Sequence, residues 1–251
     1  MHSFIGELFG TMFLILFGCG VVANVLLTDS KGQNAGWLSI ATGWGFAVVI
    51  GIFVAQSAGS PNADINPAVT FAKYLLGDFY TCRQVLIAIS AQMIGAFLGA
   101  VIVWLAYLPH WEKTKNPSYK LAIYSTTPAI RHFPSNLLCE IIGTTVLIIG
   151  IAAIFGHATK GNPATGLGPY LVGVLVWAIG LSLGGQTGYA INPARDLGPR
   201  IAHAVLPIAG KGSSDWRYAW VPIVGPLIGA SIGAIVWKLF FYLSLAGKYP
   251  G

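Results

Sequence analysis

The stretch GYAINPARD, residues 188–196, places an arginine and an aspartate just after a proline, in a chain otherwise dominated by apolar runs. Pro193 suits the first position of a helix, where a missing N–H costs nothing, and Asn192 suits the cap before it. The residues that follow, ARDLGPRIAHAV, are too short a stretch to cross a bilayer, so a half-helix is expected. The same box stands earlier in the chain. Asn66, Pro67 and Ala68 match Asn192, Pro193 and Ala194, and the AVTFAKYLLG that runs on from the first box is equally short. In a membrane protein, such irregular backbone is tolerable only where protein buries it or a water-filled cavity borders it.

Composition places the chain in a membrane. Of its 251 residues 55% are hydrophobic and only 9% charged, and the mean hydropathy is +0.70, which excludes an ordinary soluble domain. Six apolar segments long enough to cross as helices are read at about residues 4–27, 38–57, 84–108, 135–156, 168–184 and 219–244. Met-His-Ser at the start carries no Lys or Arg, so the first segment is read as a retained span and not as a signal peptide. The formal charge of +6 is spread through the loops without a basic run, which argues against nucleic acid as a partner. Cys19, Cys82 and Cys139 have neither metal nor disulfide spacing and are assigned to packing.

The chain also repeats itself. Glu7, Gly10 and Thr11 return 133 residues later as Glu140, Gly143 and Thr144, the NPA box returns after 126, and IGAFLGA at 94–100 returns as IGASIGA at 228–234. Three ordered matches at nearly one spacing indicate a duplicated unit of three spans, and an odd number of spans inverts the second copy relative to the first. The organisation expected is one channel domain over 1–251, with repeats at 1–108 and 135–251 joined by an outer connecting segment at 109–134. The two half-helices then enter from opposite faces and their N-termini meet near the midplane.

Chemistry follows from that meeting. Helix N-termini carry partial positive charge, and the Asn66 and Asn192 amides donate to a passing hydroxyl or water oxygen, so a cation or proton meets a barrier. Arg195 adds a full charge and fixed donors, and is the expected main selectivity residue. Glu7 and Glu140 are intramembrane carboxylates whose symmetric placement suits holding loop N–H groups near the half-helices. Asp196 is assigned to fixing neighbouring backbone or Arg200. Gly95/Gly99 and Gly229/Gly233 have the spacing for close helix packing.

The paired NPA boxes, the ExxGT opening of each half and six spans with two half-helices resemble the major intrinsic proteins, the aquaporins and glycerol facilitators, over nearly the whole chain. NPARD at 192–196 is similar to the glycerol-facilitator branch. The resemblance implies an all-α membrane fold, a homotetramer with one pore per subunit, the plasma membrane with cytoplasmic termini, and a passive channel instead of an enzyme, without a cofactor. It implies a selectivity filter of Trp44, Gly180, Tyr189 and Arg195, in which aromatic faces contact a carbon backbone while the arginine binds hydroxyls. Glycerol is the expected solute, with water as companion and ions and protons excluded; undissociated lactic acid, urea, dihydroxyacetone and hydrogen peroxide are the further candidates. Two positions depart from the family's pattern. Tyr189 stands where phenylalanine is usual, and Asp64 replaces a histidine, which makes Asp64 a candidate for pH-dependent gating.

Other classes fit less well. A water- or lactic-acid-preferring member of the same family is the nearest alternative. An ion-coupled secondary transporter needs ionisable midplane groups, where this sequence offers asparagines. An intramembrane enzyme needs a nucleophile with a base or a metal cluster, and the histidines at 2, 110, 132, 157 and 203 are scattered. A structural junction protein on the same scaffold is distinguished only by a measured flux. Orientation rests on the resemblance alone: with cytoplasmic termini, Lys73, Arg83, Lys160, Lys238 and Lys248 lie inside, and the other nine of the 14 basic residues outside, against the positive-inside rule.

Overall fold

The structure is a computed structural model that describes residues 2–77, 79–155, 163–164 and 166–246; Lys160, Lys248 and His157 lie outside the described residues. The long helices are α1 (His2–Leu26), α2 (Gly36–Ser57), α4 (Cys82–Ala106), α7 (Phe133–Phe155), α8 (Leu167–Leu183) and α10 (Val221–Ala246). Among the described residues five of them are long and apolar enough to cross a membrane, and α8 is a 17-residue apolar helix. The half-helices are α3 (Pro67–Leu76) and α9 (Pro193–Val205).

Local chemistry fixes where these elements begin. The Asn66 side chain accepts from the Ala68 N–H and the Asn192 side chain from the Ala194 and Arg195 N–H groups, with a proline at the first helical position in both cases. Such a cap is worth about 1 kcal/mol. Helix α3 ends at Gly77, whose φ of 96° is in the left-handed region that glycine alone adopts without cost. Helix α4 begins two residues before the expected 84, because Thr81 and Gln84 form a capping box. The segment 109–134 is not a plain loop: it contains α5 (Leu108–Lys113) and α6 (Pro117–Tyr124), the latter capped by Asn116 with Pro117 at its first position, the same device as in the half-helices.

The packing repeats between the halves. Helix α1 lies against α2 and α4, as α7 lies against α8 and α10, while α3 leans on α10 and α9 on α4. Each half-helix is thus supported by the last span of the other half. Between apolar helices in lipid, association depends on close van der Waals contact instead of water exclusion, so small residues mark the seams. A Cβ built on Gly95 would lie 2.1 Å from the Leu8 carbonyl oxygen, and one on Gly229 would lie 2.5 Å from the Ile141 carbonyl oxygen. The seams α1/α4 and α7/α10 therefore close backbone against backbone.

Candidate conduction pore

The N-termini of α3 and α9 are tied together across the molecule. Asn66 Nδ2 donates to the Ile191 carbonyl at 2.8 Å, and Asn192 Nδ2 donates to the Ile65 carbonyl at 2.9 Å. Each amide nitrogen has two hydrogens, so one is used in this bond and the other is a donor for anything passing. Both asparagines are buried, at 5% and 6% exposure.

The backbone before each box is bent into a conformation that sequence preference opposes. Ala63, Ile65, Tyr189 and Ile191 all have positive φ, between 38° and 45°. For a β-branched residue this is a true outlier that persists only where its surroundings over-determine it. The surroundings here are two buried glutamates. Glu7 accepts from the Asp64 N–H at 2.9 Å, the Ile65 N–H at 2.8 Å, the Ser60 hydroxyl and the Gln92 amide. Glu140 accepts from the Ala190 N–H at 3.0 Å, the Ile191 N–H at 2.9 Å and the Thr187 hydroxyl. In both halves the glutamate takes two consecutive N–H groups and one hydroxyl, while the Gln92 amide is a further donor to Glu7.

Beyond the glutamates the halves part. In the first, the Asp64 side chain is fully buried and accepts from Lys73, from the Thr70 hydroxyl at 2.8 Å and from the Tyr80 hydroxyl at 2.6 Å. Burial and the neighbouring carboxylate push the Tyr80 phenol upward, so it stays protonated and donating. In the second half, Asp196 accepts from the Thr126 N–H and hydroxyl, both at 2.7 Å, and from Arg200. Arg200 also donates to the carbonyls of Thr126 and Ser214. This buried network ties the connecting segment and the α9–α10 loop to the half-helix.

Arg195 is different. It is 7% exposed, its guanidinium lies 4.1 Å from the centroid of the Trp44 ring, and among the described residues Nη1 finds no hydrogen-bond partner. Trp44 in turn lies flat on Gly18, where any Cβ would come within 2.2 Å of the indole. Tyr189 packs on Gly180: a Cβ there would lie 2.7 Å from the tyrosine Cζ, and the Tyr189 hydroxyl also lacks a partner among the described residues. Trp44 with Arg195, and Gly180 with Tyr189, are thus direct contacts. A buried N–H and a buried hydroxyl left open are costly unless something else satisfies them.

A family model for major intrinsic proteins matches residues 1–237. The chain belongs to the major intrinsic protein family. This family member is 52% identical over 241 residues to a probable glycerol uptake facilitator protein of Thermotoga maritima, covering 96% of this chain and all of that one. It is 39% identical over 245 residues to a D/L-lactic acid transporter of Lactiplantibacillus plantarum, covering 96% and 98%. Among solved structures it superposes on an aquaglyceroporin of Plasmodium falciparum with a TM-score of 0.86 at 26% identity, covering 98% of this chain and 99% of that one. The all-helical multi-pass membrane fold expected from the sequence is therefore that of the family.

Sequence reasoning missed several residues of this major intrinsic protein's candidate site. Lys73, Tyr80 and Gln92 gather on the first loop, Thr126 on the second half-helix, and Trp37 beside Tyr189. Only Lys73 carried a local signal, as the basic residue in the last turn of α3.

Proposed function

We propose that the protein is a passive plasma-membrane pore for glycerol and similar small uncharged solutes, with water accompanying them and ions and protons excluded. The observation that carries this reading is Arg195: a buried guanidinium over the Trp44 ring, with Nη1 unpartnered among the described residues, together with a Tyr189 ring that rests on Gly180. A polyol has hydroxyls along one side and carbon along the other. Arg195 donates to the hydroxyls while the faces of Trp44 and Tyr189 accept the carbons, and Gly180 leaves the width that a side chain would fill. At the centre, the free hydrogens of Asn66 and Asn192 take over, in the positive field of two helix N-termini that repels cations. Glu7, Glu140 and Asp196 hold this frame without touching solute.

The glycerol facilitator name of the Thermotoga maritima relative supports glycerol as the solute. Undissociated lactic acid is the second reading, favoured by the lactic acid transporter relative and by the open Tyr189 hydroxyl, a further polar contact for a hydroxy acid. Urea, dihydroxyacetone and hydrogen peroxide satisfy the same size and charge conditions. We read residues 1–108 and 135–251 as the inverted repeats, 109–134 as the outer connection, the termini as cytoplasmic and the assembly as a homotetramer. Gating through Asp64 requires its contact with Lys73 to break. Stopped-flow light scattering on proteoliposomes tests the solute reading: glycerol-driven reswelling well above empty liposomes is the expected result, and flux of water alone would sink the polyol reading. Equal flux at two pH values in wild type and Asp64→Asn would remove the gating role.

A further inference from the structure

We propose that Trp37 is a positioning residue of the filter: its indole fixes the ring of Tyr189 and thereby sets which uncharged solutes pass. The inference rests on the reading that Tyr189 and Gly180 border the pore.

Trp37 is the second residue of α2, and its Nε1–H donates to the Gly180 carbonyl at 3.0 Å, 143 residues away. Gly180 opens the last turn of α8, whose carbonyls have no partner further along the helix. The indole therefore caps α8 from the opposite half of the molecule. Its ring also meets Tyr189 edge to face, with centroids 5.8 Å apart and planes at 78°. Beneath both rings lies bare backbone: a Cβ on Gly184 would sit 2.7 Å from Trp37 Cζ2 and 2.5 Å from Tyr189 Cδ1. Gly180 and the capping residue Gly184 are four residues apart at the C-terminal end of α8. They form a common floor on which the two aromatics stand.

Among the described residues no hydrogen bond orients the tyrosine side chain. Its φ of 38° leaves it outside ordinary backbone geometry, and its hydroxyl has no partner among the described residues. The hydrogen bonds from the next two N–H groups to Glu140 fix the main chain and not the ring. Ring orientation is thus left to packing, and Trp37 supplies the side wall. With 39% of its surface exposed, Trp37 is not an ordinary core aromatic.

The test compares wild type, Trp37→Leu, Trp37→Phe, Tyr189→Ala and the Trp37→Leu/Tyr189→Ala double variant in proteoliposomes, with water, glycerol and the four-carbon polyol erythritol measured separately. Trp37→Leu is expected to shift the glycerol-to-erythritol ratio about threefold, the size of a lost aromatic edge contact, with water permeability little changed. Trp37→Phe keeps a ring edge but no N–H, and is expected to shift the ratio in the same direction by about half as much; it carries the test if the leucine variant fails to fold. In the Tyr189→Ala background, Trp37→Leu is expected to add nothing to the ratio, because the wall has lost what it positions. Fluxes of all three solutes falling in equal proportion, or additive ratio changes in the double variant, would reduce Trp37 to a cap of α8 and overturn the inference. Absence of glycerol flux in wild type would instead overturn the pore reading itself.

Discussion

The loop that leads into α3 and the loop that leads into α9 are built on one plan and used differently. Each is held in positive-φ conformations by a buried glutamate that takes two consecutive N–H groups, and each ends in an asparagine that reaches the other loop's carbonyl. In the first half the Asp64 carboxylate beyond that frame faces Lys73. In the second half Asp196 is matched by Arg200, and Arg195 is an additional cation whose Nη1 has no hydrogen-bond partner among the described residues. On the proposed reading the duplicated frame supplies shape, and Arg195 on one side supplies discrimination.

The widest break in this comparison comes from attacking what the loops share. Glu140→Ala and Glu7→Ala each orphan two buried N–H groups on strained backbone, at about 1–3 kcal/mol per group, so each is expected to cost 3 kcal/mol or more. Thermal unfolding of detergent-solubilised protein would read this, and a cost confined to one half would end the equivalence. Next come the charges that differ. Arg195→Ala is expected to change the glycerol-to-erythritol ratio by about tenfold and to admit protons, read by a pH dye inside liposomes. Lys73→Met is expected to leave the ratio unaltered while costing about 2 kcal/mol of stability, because it strands the buried Asp64 carboxylate. A selectivity change in Lys73→Met would mean that both loops discriminate. Tyr189→Phe removes only an unpartnered hydroxyl, and an approximately twofold change in the glycerol-to-water ratio is expected, of the order of a weak hydrogen bond.

The smallest effect concerns the outer contact between Arg131 and Asp215. The Arg131 guanidinium holds the Asp215 carboxyl below its ordinary value of 3.8, so the contact stabilises fully above that pH and is lost as pH falls through the lowered value. Asp215→Asn is therefore expected to lower thermal stability slightly and evenly from pH 5 to 8, and to flatten the acid limb below about pH 4, where the wild type has itself lost the contact. A loss of stability at neutral pH larger than in Lys73→Met would reverse the ranking of the two ion pairs.

What could be read in the sequence was whatever is local or repeated. Asn-Pro-Ala shows its cap and its first helical residue within three positions, and the 133-residue return of Glu7 as Glu140 marks a pair of equivalent roles. The same Asn-Pro signal stood at Asn116–Pro117, where the short α6 was still missed because eight residues carry too little apolar periodicity to register. Positive φ at Ile65 and Ile191 was invisible, since β-branched residues argue for the opposite conformation and only distant glutamates reverse it. Trp37 was hidden for a related reason: its partners Gly180 and Tyr189 are chosen by packing between helices far apart in the chain.

The paired asparagine-to-carbonyl bonds also have a meaning in time. Asn192 reaches back over 127 residues to Ile65, and at ordinary rates of synthesis that distance is on the order of ten seconds of translation. Until then the Ile65 carbonyl and the first asparagine have no counterpart, so the first half emerges as half of a clasp. The bonds are self-complementary in the manner of a two-fold symmetric dimer contact. Because both partners stand in one chain, what two separate molecules would have to find by encounter is here only a delay within one.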